Sequence, residues 1–185
     1  LEASKVWAKE FMARHNIPTA ASRSFTDYQE ARRYVESRPD GPLVVKASGL
    51  AAGKGAIVCN DMHEALTALD IIMVRRDFGA AGNEVVIEER LYGRETSAHA
   101  FCDGKTAVLM PFATDYKRAH DGDIGLNTGG MCAYSPSAFV DERLAEEIRH
   151  QVVERAIAGM ASEGTPYNGT LFPGLMVTDE GIRVL

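Results

Sequence analysis

The chain holds no Cys-x-x-Cys pair, and its three cysteines, Cys59, Cys102 and Cys132, are odd in number and far apart. That argues against a disulfide framework and a zinc site, and makes a reduced, intracellular setting the default. No apolar run approaches the ~20 residues needed to span a membrane. Basic residues are in deficit: 20 Lys and Arg against 26 Asp and Glu leave a net charge of −6. This argues against a nucleic-acid surface or an anionic membrane as partner, but not against a small anion met by a local cationic cluster. The chain opens on Leu1 rather than Met and runs straight into a helical pattern, so no targeting segment is expected and the ends read as cut. Internal repeats, low-complexity linkers and a strict strand–helix–strand rhythm are also missing, which favours an α+β arrangement over a doubly wound parallel sheet.

What is present is ordinary for a globular protein: 185 residues, 45% apolar and 25% charged. That suits one domain, or one domain with two lobes, able to bury roughly 70% of the surface of the extended chain. Residues 4–15 place Trp7 and Phe11 four apart, a helix with one apolar stripe. Thr26 and Gln29 form a capping box for a second helix to about Ser37, and Asp61 with Glu64 opens a third to about Arg76. "LVVKA" (43–47), "AIVC" (56–59), "EVVIEER" (84–90) and "ETSAHAFC" (95–102) read as strands, and Asp103-Gly104 turns the last into "KTAVLM". A long polar loop, 111–138, precedes a helix over 140–161; the tail, "NGTLFPGLMVT" then "DEG" then "IRVL", reads as a hairpin. His15, His63 and His150 are expected on exposed helix faces, His99 packed in a strand, and Met12, Met62, Met73 and Met160 as core filler.

The stretch "KASGLAAGKGAIV" (46–58) joins two of those strands. It resembles a phosphate-binding P-loop only superficially: Ser48 stands where the pattern requires its first glycine, Gly55 stands where it requires a hydroxyl, and a strand rather than a helix follows. Two readings remain open. One is a glycine-rich lid over a polyphosphate, with Lys46 at a strand end and Lys54 adding a point charge. The other is a hairpin loop with a solvated lysine. The same holds for Glu88, Glu89 and Glu95 in "EERLYGRE": carboxylates for ribose hydroxyls beside a strand edge for adenine, or an edge strand guarded by charge. The loop 111–136 carries Asp115, Lys117, Arg118, Asp121, Asp123, Asn127 and Thr128, and is either a substrate site or a solvated loop.

Four segments in this order, "LVVKASGLAAGKG", "VVIEERLYGRE", "DGDIGLNTGGMCAYSP" and "YNGTLFPGLM", resemble the glycinamide ribonucleotide synthetases (phosphoribosylamine–glycine ligases) of the ATP-grasp family. The resemblance covers essentially the whole chain. It implies an α+β ATP-grasp fold of two lobes with ATP between them, truncated at both ends. The lobes would comprise 17–92 (smaller, with the lid) and 93–185 with helix 1–16 (larger). It also implies an ATP site of Lys46, Gly49, Leu50, Ala51, Ala52, Gly53, Lys54, Gly55, Glu88, Glu89, Leu91 and Glu95, adenine meeting the backbone at Glu89 and Leu91. Lys117, Arg118, Asp123 and Asn127 would be catalytic, and Asp115, Thr128, Gly129 and Gly130 would bind substrate. The implied reaction is ATP-driven: the carboxylate of glycine takes the γ-phosphoryl group, and the amine of 5-phosphoribosylamine displaces it. Partners are then glycine, 5-phosphoribosylamine, ATP and the rest of a parent enzyme chain, with no nucleic acid or membrane, in the cytoplasm.

The chain departs from the family pattern at Tyr116, where His is usual, at Ile124 (Thr or Gly), Leu126 (Pro) and Cys132 (Gly), all in the substrate loop. Magnesium is expected as cofactor, its Glu and Asn ligands falling after Leu185, so the metal site within the chain is expected to be none. The isolated polypeptide is expected to turn over poorly. Two alternatives are an ATP-binding module without turnover and another ATP-grasp carboxylate–amine ligase.

Overall fold

The computed structural model describes residues 2–51, 54–122, 124–128 and 131–185. The chain separates into two compact units, Leu1–Phe11 with Ala20–Leu91 and Met12–Thr19 with Tyr92–Leu185. This division differs from the expected lobes over residues 1–11, which fall with the first unit, and over residues 17–19 and 92, which fall with the second.

The first unit is built on a four-stranded antiparallel sheet, β1 (Ser22–Phe25), β2 (Leu43–Ala47), β3 (Ala56–Cys59) and β4 (Val85–Glu89), in the order β1-β4-β2-β3. Val45 lies opposite Ile87 and Lys46 opposite Val86. Since alternate residues point to opposite faces, Leu43, Val45, Ala47, Val85 and Ile87 share one face. That face packs on α2 (Tyr28–Glu36) and α3 (Met62–Leu69) through Ala31, Val35, Ala65, Ala68 and Leu69. The other face carries Lys46, Val86 and Glu88 and meets α1 (Lys5–Arg14), where Trp7 and Phe11 stack with ring centres 5.1 Å apart.

Asp61 caps α3 by accepting from the Glu64 N–H at 2.8 Å, as its spacing predicts. A π-helical turn, Asp70–Val74, carries the helix on to about the expected end. The second helix is capped by Asp27, which accepts from Glu30 N at 2.8 Å, and not by Thr26.

The second unit contains two three-stranded antiparallel sheets. One joins β6 (Ala100–Asp103), β7 (Ala107–Leu109) and β12 (Asn168–Leu171); the other joins β5 (Arg94–Ser97), β13 (Gly174–Thr178) and β14 (Gly181–Val184). The single strand expected over 95–102 is thus two strands, β5 and β6, which pair in different sheets. Gly104 turns β6 into β7 at φ +88, the left-handed region open to glycine. Residues 142–162 form one helical run, α4 (Glu142–Ile148), a π-helical stretch (Arg149–Glu154) and α5 (Arg155–Ser162), burying Ile148, Val152, Val153 and Ile157.

His15 is only partly exposed, unlike the expectation: its Nε2 lies 2.8 Å from Glu163, and its ring occupies the space that a side chain at Gly159 would need. The stretch expected as an irregular loop, 111–138, folds into two small antiparallel ribbons. In one, β8 (Thr114–Asp115) pairs with β11 (Ala133–Tyr134); in the other, β9 (Arg118–His120) pairs with β10 (Ile124–Asn127). Among the described residues no helix is long and apolar enough to cross a membrane.

Candidate nucleotide and substrate site

Each unit carries one lysine–carboxylate cluster. In the first, the strand alternation that sends Val45 into the core sends Lys46 to the opposite face, diagonal to Glu88. Lys46 Nζ lies 2.9 Å from Glu88 Oε2, and Lys9 Nζ, from α1, lies 3.1 Å from Oε1. The Lys9 contact is an ion pair rather than a well-aligned hydrogen bond. Glu88 is 3% exposed, Lys9 9% and Lys46 13% by side chain, so one carboxylate deep in the unit serves two ammonium groups. Burial pulls the pKa of Lys9 below its ordinary value of 10.5 while the charge of Glu88 resists the fall; Lys5 is lowered by burial and then by the charge of Lys46.

Lys5 sits one helical turn before Lys9, on the same side of α1. Its Nζ donates to Ala47 O at 2.9 Å and to Gly49 O at 3.1 Å. Its N–H donates to Ser48 O at 2.8 Å, and Ser48 Oγ accepts from Val6 N at 3.3 Å. The start of the glycine-rich segment is therefore bound to the N-terminus of α1. Gly49 packs so closely on Ala81 that a Cβ would lie 2.8 Å from its Cα, and a Cβ at Gly55 would lie 2.6 Å from the Ala51 Cβ. Both glycines thus have a packing reason for lacking a side chain. Leu50 and Lys54 are exposed, and Lys54 N closes a turn on Ala51 O at 2.9 Å. Strand β3 follows, so the segment links two antiparallel strands and is no P-loop. Ala52 and Gly53 lie outside the described residues.

Glu89 is engaged within the unit: its N–H donates to Ala21 O at 3.0 Å and its carboxylate accepts from Ala21 N at 2.7 Å. Leu91 follows β4 and is half-buried.

In the second unit, Glu95 on β5 and Asp115 on β8 converge on Lys117, with Nζ 3.1 Å from Glu95 Oε2 and 3.0 Å from Asp115 Oδ2. Burial alone would lower the pKa of Lys117; the hydrogen bond to Asp115 and the charge of Glu95 outweigh it and raise the value. These side chains are 22–44% exposed. They line a cavity of about 890 Å³ together with Tyr116, His120 and Cys132, within the size range of small-molecule sites. Thr128 is committed locally: its N–H donates to Lys117 O at 3.1 Å and its hydroxyl to Tyr116 O. Asp123, Gly129 and Gly130 lie outside the described residues, as do the side chains of Arg118 and Asn127. Of the departures, Tyr116 and Cys132 line the cavity, and Ile124 is exposed on β10.

The sequence reading had no place for Lys5 and Lys9. Their i,i+4 spacing on a helix otherwise read for its apolar stripe was the available signal. Among the described residues no three His, Cys, Asp or Glu side chains come together as a metal-binding group.

The family model for the phosphoribosylglycinamide synthetase ATP-grasp (A) domain matches residues 3–185. The chain belongs to this family. It is 51% identical over 185 residues to the human trifunctional purine biosynthetic protein adenosine-3, covering all of this chain and 18% of that protein. It is 49% identical over 181 residues to the bifunctional purine biosynthetic protein PUR2,5 of Pichia angusta, 98% of this chain and 23% of the relative. The crystal structure of phosphoribosylamine–glycine ligase from Thermotoga maritima superposes with a TM-score of 0.88 at 35% identity, over 100% of this chain and 46% of that one. The chain thus spans under a quarter of these two curated relatives and about half of the solved enzyme. The α+β ATP-grasp fold expected from the four segments is the one observed.

Proposed function

We propose that this chain is the ATP-handling part of a phosphoribosylamine–glycine ligase, working in purine biosynthesis in the cytoplasm. In this reading Lys46 meets a phosphate oxygen at the root of the glycine-rich segment, Glu95 accepts from ribose hydroxyls, and Asp115 with Lys117 handles the glycine and phosphoryl end. Lys117, now shared between two carboxylates, is the group able to turn toward a transferred phosphoryl charge. The γ-phosphoryl oxygen–phosphorus bond of ATP breaks as the glycine carboxylate attacks, giving ADP and glycyl phosphate. The amine of 5-phosphoribosylamine then forms the amide and releases phosphate and a proton. Magnesium, when bound, would supply charge neutralisation on the phosphates.

The observation that carries the reading is the buried Lys9–Glu88–Lys46 cluster, a fixed positive charge beside a glycine-rich segment in a chain that is otherwise acidic. Calorimetric titration of the chain with ATP, ADP and adenosine tests it. ATP is expected to bind more tightly than adenosine, and Lys46→Met to weaken ATP by ~2 kcal/mol, roughly 30-fold. Equal affinity for ATP and adenosine in the wild-type chain would refute the proposal. Glycine-dependent release of phosphate from ATP in the presence of phosphoribosylamine separates a working ligase from a silent ATP binder. Bicarbonate in place of glycine identifies a different carboxylate–amine ligase.

A further inference from the structure

We infer that Lys9 is a positioning residue for phosphate recognition: by holding one oxygen of Glu88 it leaves Lys46, on the other oxygen, with charge to offer a phosphate. The inference rests on the ATP reading above and adds to it a residue on α1, separated from the glycine-rich segment by β1, α2 and β2.

The stoichiometry carries the argument. Lys46 and Glu88 alone would be a neutral buried pair, attracting nothing. With Lys9 the group is two ammoniums on one carboxylate, and Lys5 brings a third ammonium to the same corner, held by Ala47 O and Gly49 O. Glu2 also acts on Lys5 and Glu89 on Lys9. Lys9 is 8% exposed, and burying an ammonium is costly unless it is paired. Lys9 Nζ also donates to Ala20 O at 3.4 Å, but replacing a buried ion pair with apolar side chains is often neutral or stabilising, so neither packing nor that long contact by itself calls for a full charge here. The geometry does: Oε1 faces Lys9 and Oε2 faces Lys46, so the carboxylate is divided between them rather than given to one.

The test is the preference for ATP over adenosine, which cancels any contact to the base. Lys9→Met is expected to lower that preference about tenfold, the worth of one charge on a phosphate contact, because Glu88 is then left to Lys46 alone. Lys9→Arg is expected to restore most of it. Lys9→Met combined with Glu88→Gln is expected to return it to near the wild-type value, since the neutralising carboxylate is gone.

A wild-type preference that survives intact in Lys9→Met overturns this inference and leaves the ATP reading standing. A wild-type chain with no preference overturns both. Should circular dichroism show Lys9→Met unfolded, Glu88→Gln compared with the double variant decides. Equal preference in the two supports a Lys9 that acts through Glu88, and a several-fold lower preference in the double variant, which would make Lys9 a direct phosphate charge, refutes it.

Discussion

The two lysine–carboxylate clusters use the same groups in opposite proportions. In the first unit two ammoniums share one carboxylate; in the second two carboxylates share one ammonium. The first is locally positive and the second locally negative, so the first suits phosphate and the second suits ammonium or hydroxyl groups. They also differ in solvent. Glu88 is 3% exposed, whereas Lys117 is 44% exposed. Charge in the first cluster is screened little by water or salt; in the second it is screened strongly and held by side chains that can part from one another.

That contrast can be broken most forcefully at Glu88. Glu88→Ala leaves two buried ammoniums without their carboxylate, and urea unfolding is expected to show a loss of about 3–5 kcal/mol. A loss under 1 kcal/mol would mean that the lysines escape to water and that the cluster is not preformed. Lys117→Ala is the counterpart in the second unit. Being half-exposed, it is expected to cost less than about 1 kcal/mol in the same urea unfolding, and a loss above about 3 kcal/mol would show the two clusters to be alike.

The smallest effect is in the alkaline range, and there the clusters should differ in sign. Lys117 has a raised pKa. The folded state therefore holds its proton longer, and its stabilisation is complete below 10.5 and is lost as the pH rises through the elevated folded value. Lys9 has a lowered pKa, so the folded state sheds its proton first and stability is gained between the lowered value and 10.5. Thermal unfolding followed up to about pH 11 should show Lys117→Met flattening the alkaline fall and Lys9→Met steepening it. Changes of the same sign would remove the distinction.

Much of this was legible in the sequence, for reasons that can be named. The strands "LVVKA", "AIVC" and "VVIEE" announce themselves through β-branched residues, and the Asp61 cap through its fixed spacing to Glu64. Strand β1, "SRSF", was not legible because only Phe25 of its four side chains is buried; the other three carry no apolar signal. The break between β5 and β6 was hidden because both halves have strand-like residues, and only their partners, β13 and β12, divide them. The strands of the ribbons over 114–134 are two to four residues long and mix polar with apolar residues, set by pairing that a local reading cannot see. Of the candidate site, Lys46, Glu88 and Glu95 follow from charge on strands, and Asp115 and Lys117 from the charge gathered in the polar stretch 111–136; the structure brings them together in two groups, one per unit. Lys9 was missed because its partner is 79 positions away (88 − 9) and its helix was read for its aromatic stripe.

The alternation along β2 has a consequence for how the chain finds its fold. Val45 and Lys46 point to opposite faces, so slipping this strand by one place against β4 would drive an ammonium among Leu69, Ile72 and Val35 and turn valine toward a carboxylate. The penalty for that error is that of an unpaired buried charge. The lysine that is proposed to greet the nucleotide therefore also proofreads the sheet: a chain paired wrongly here has nowhere to put it.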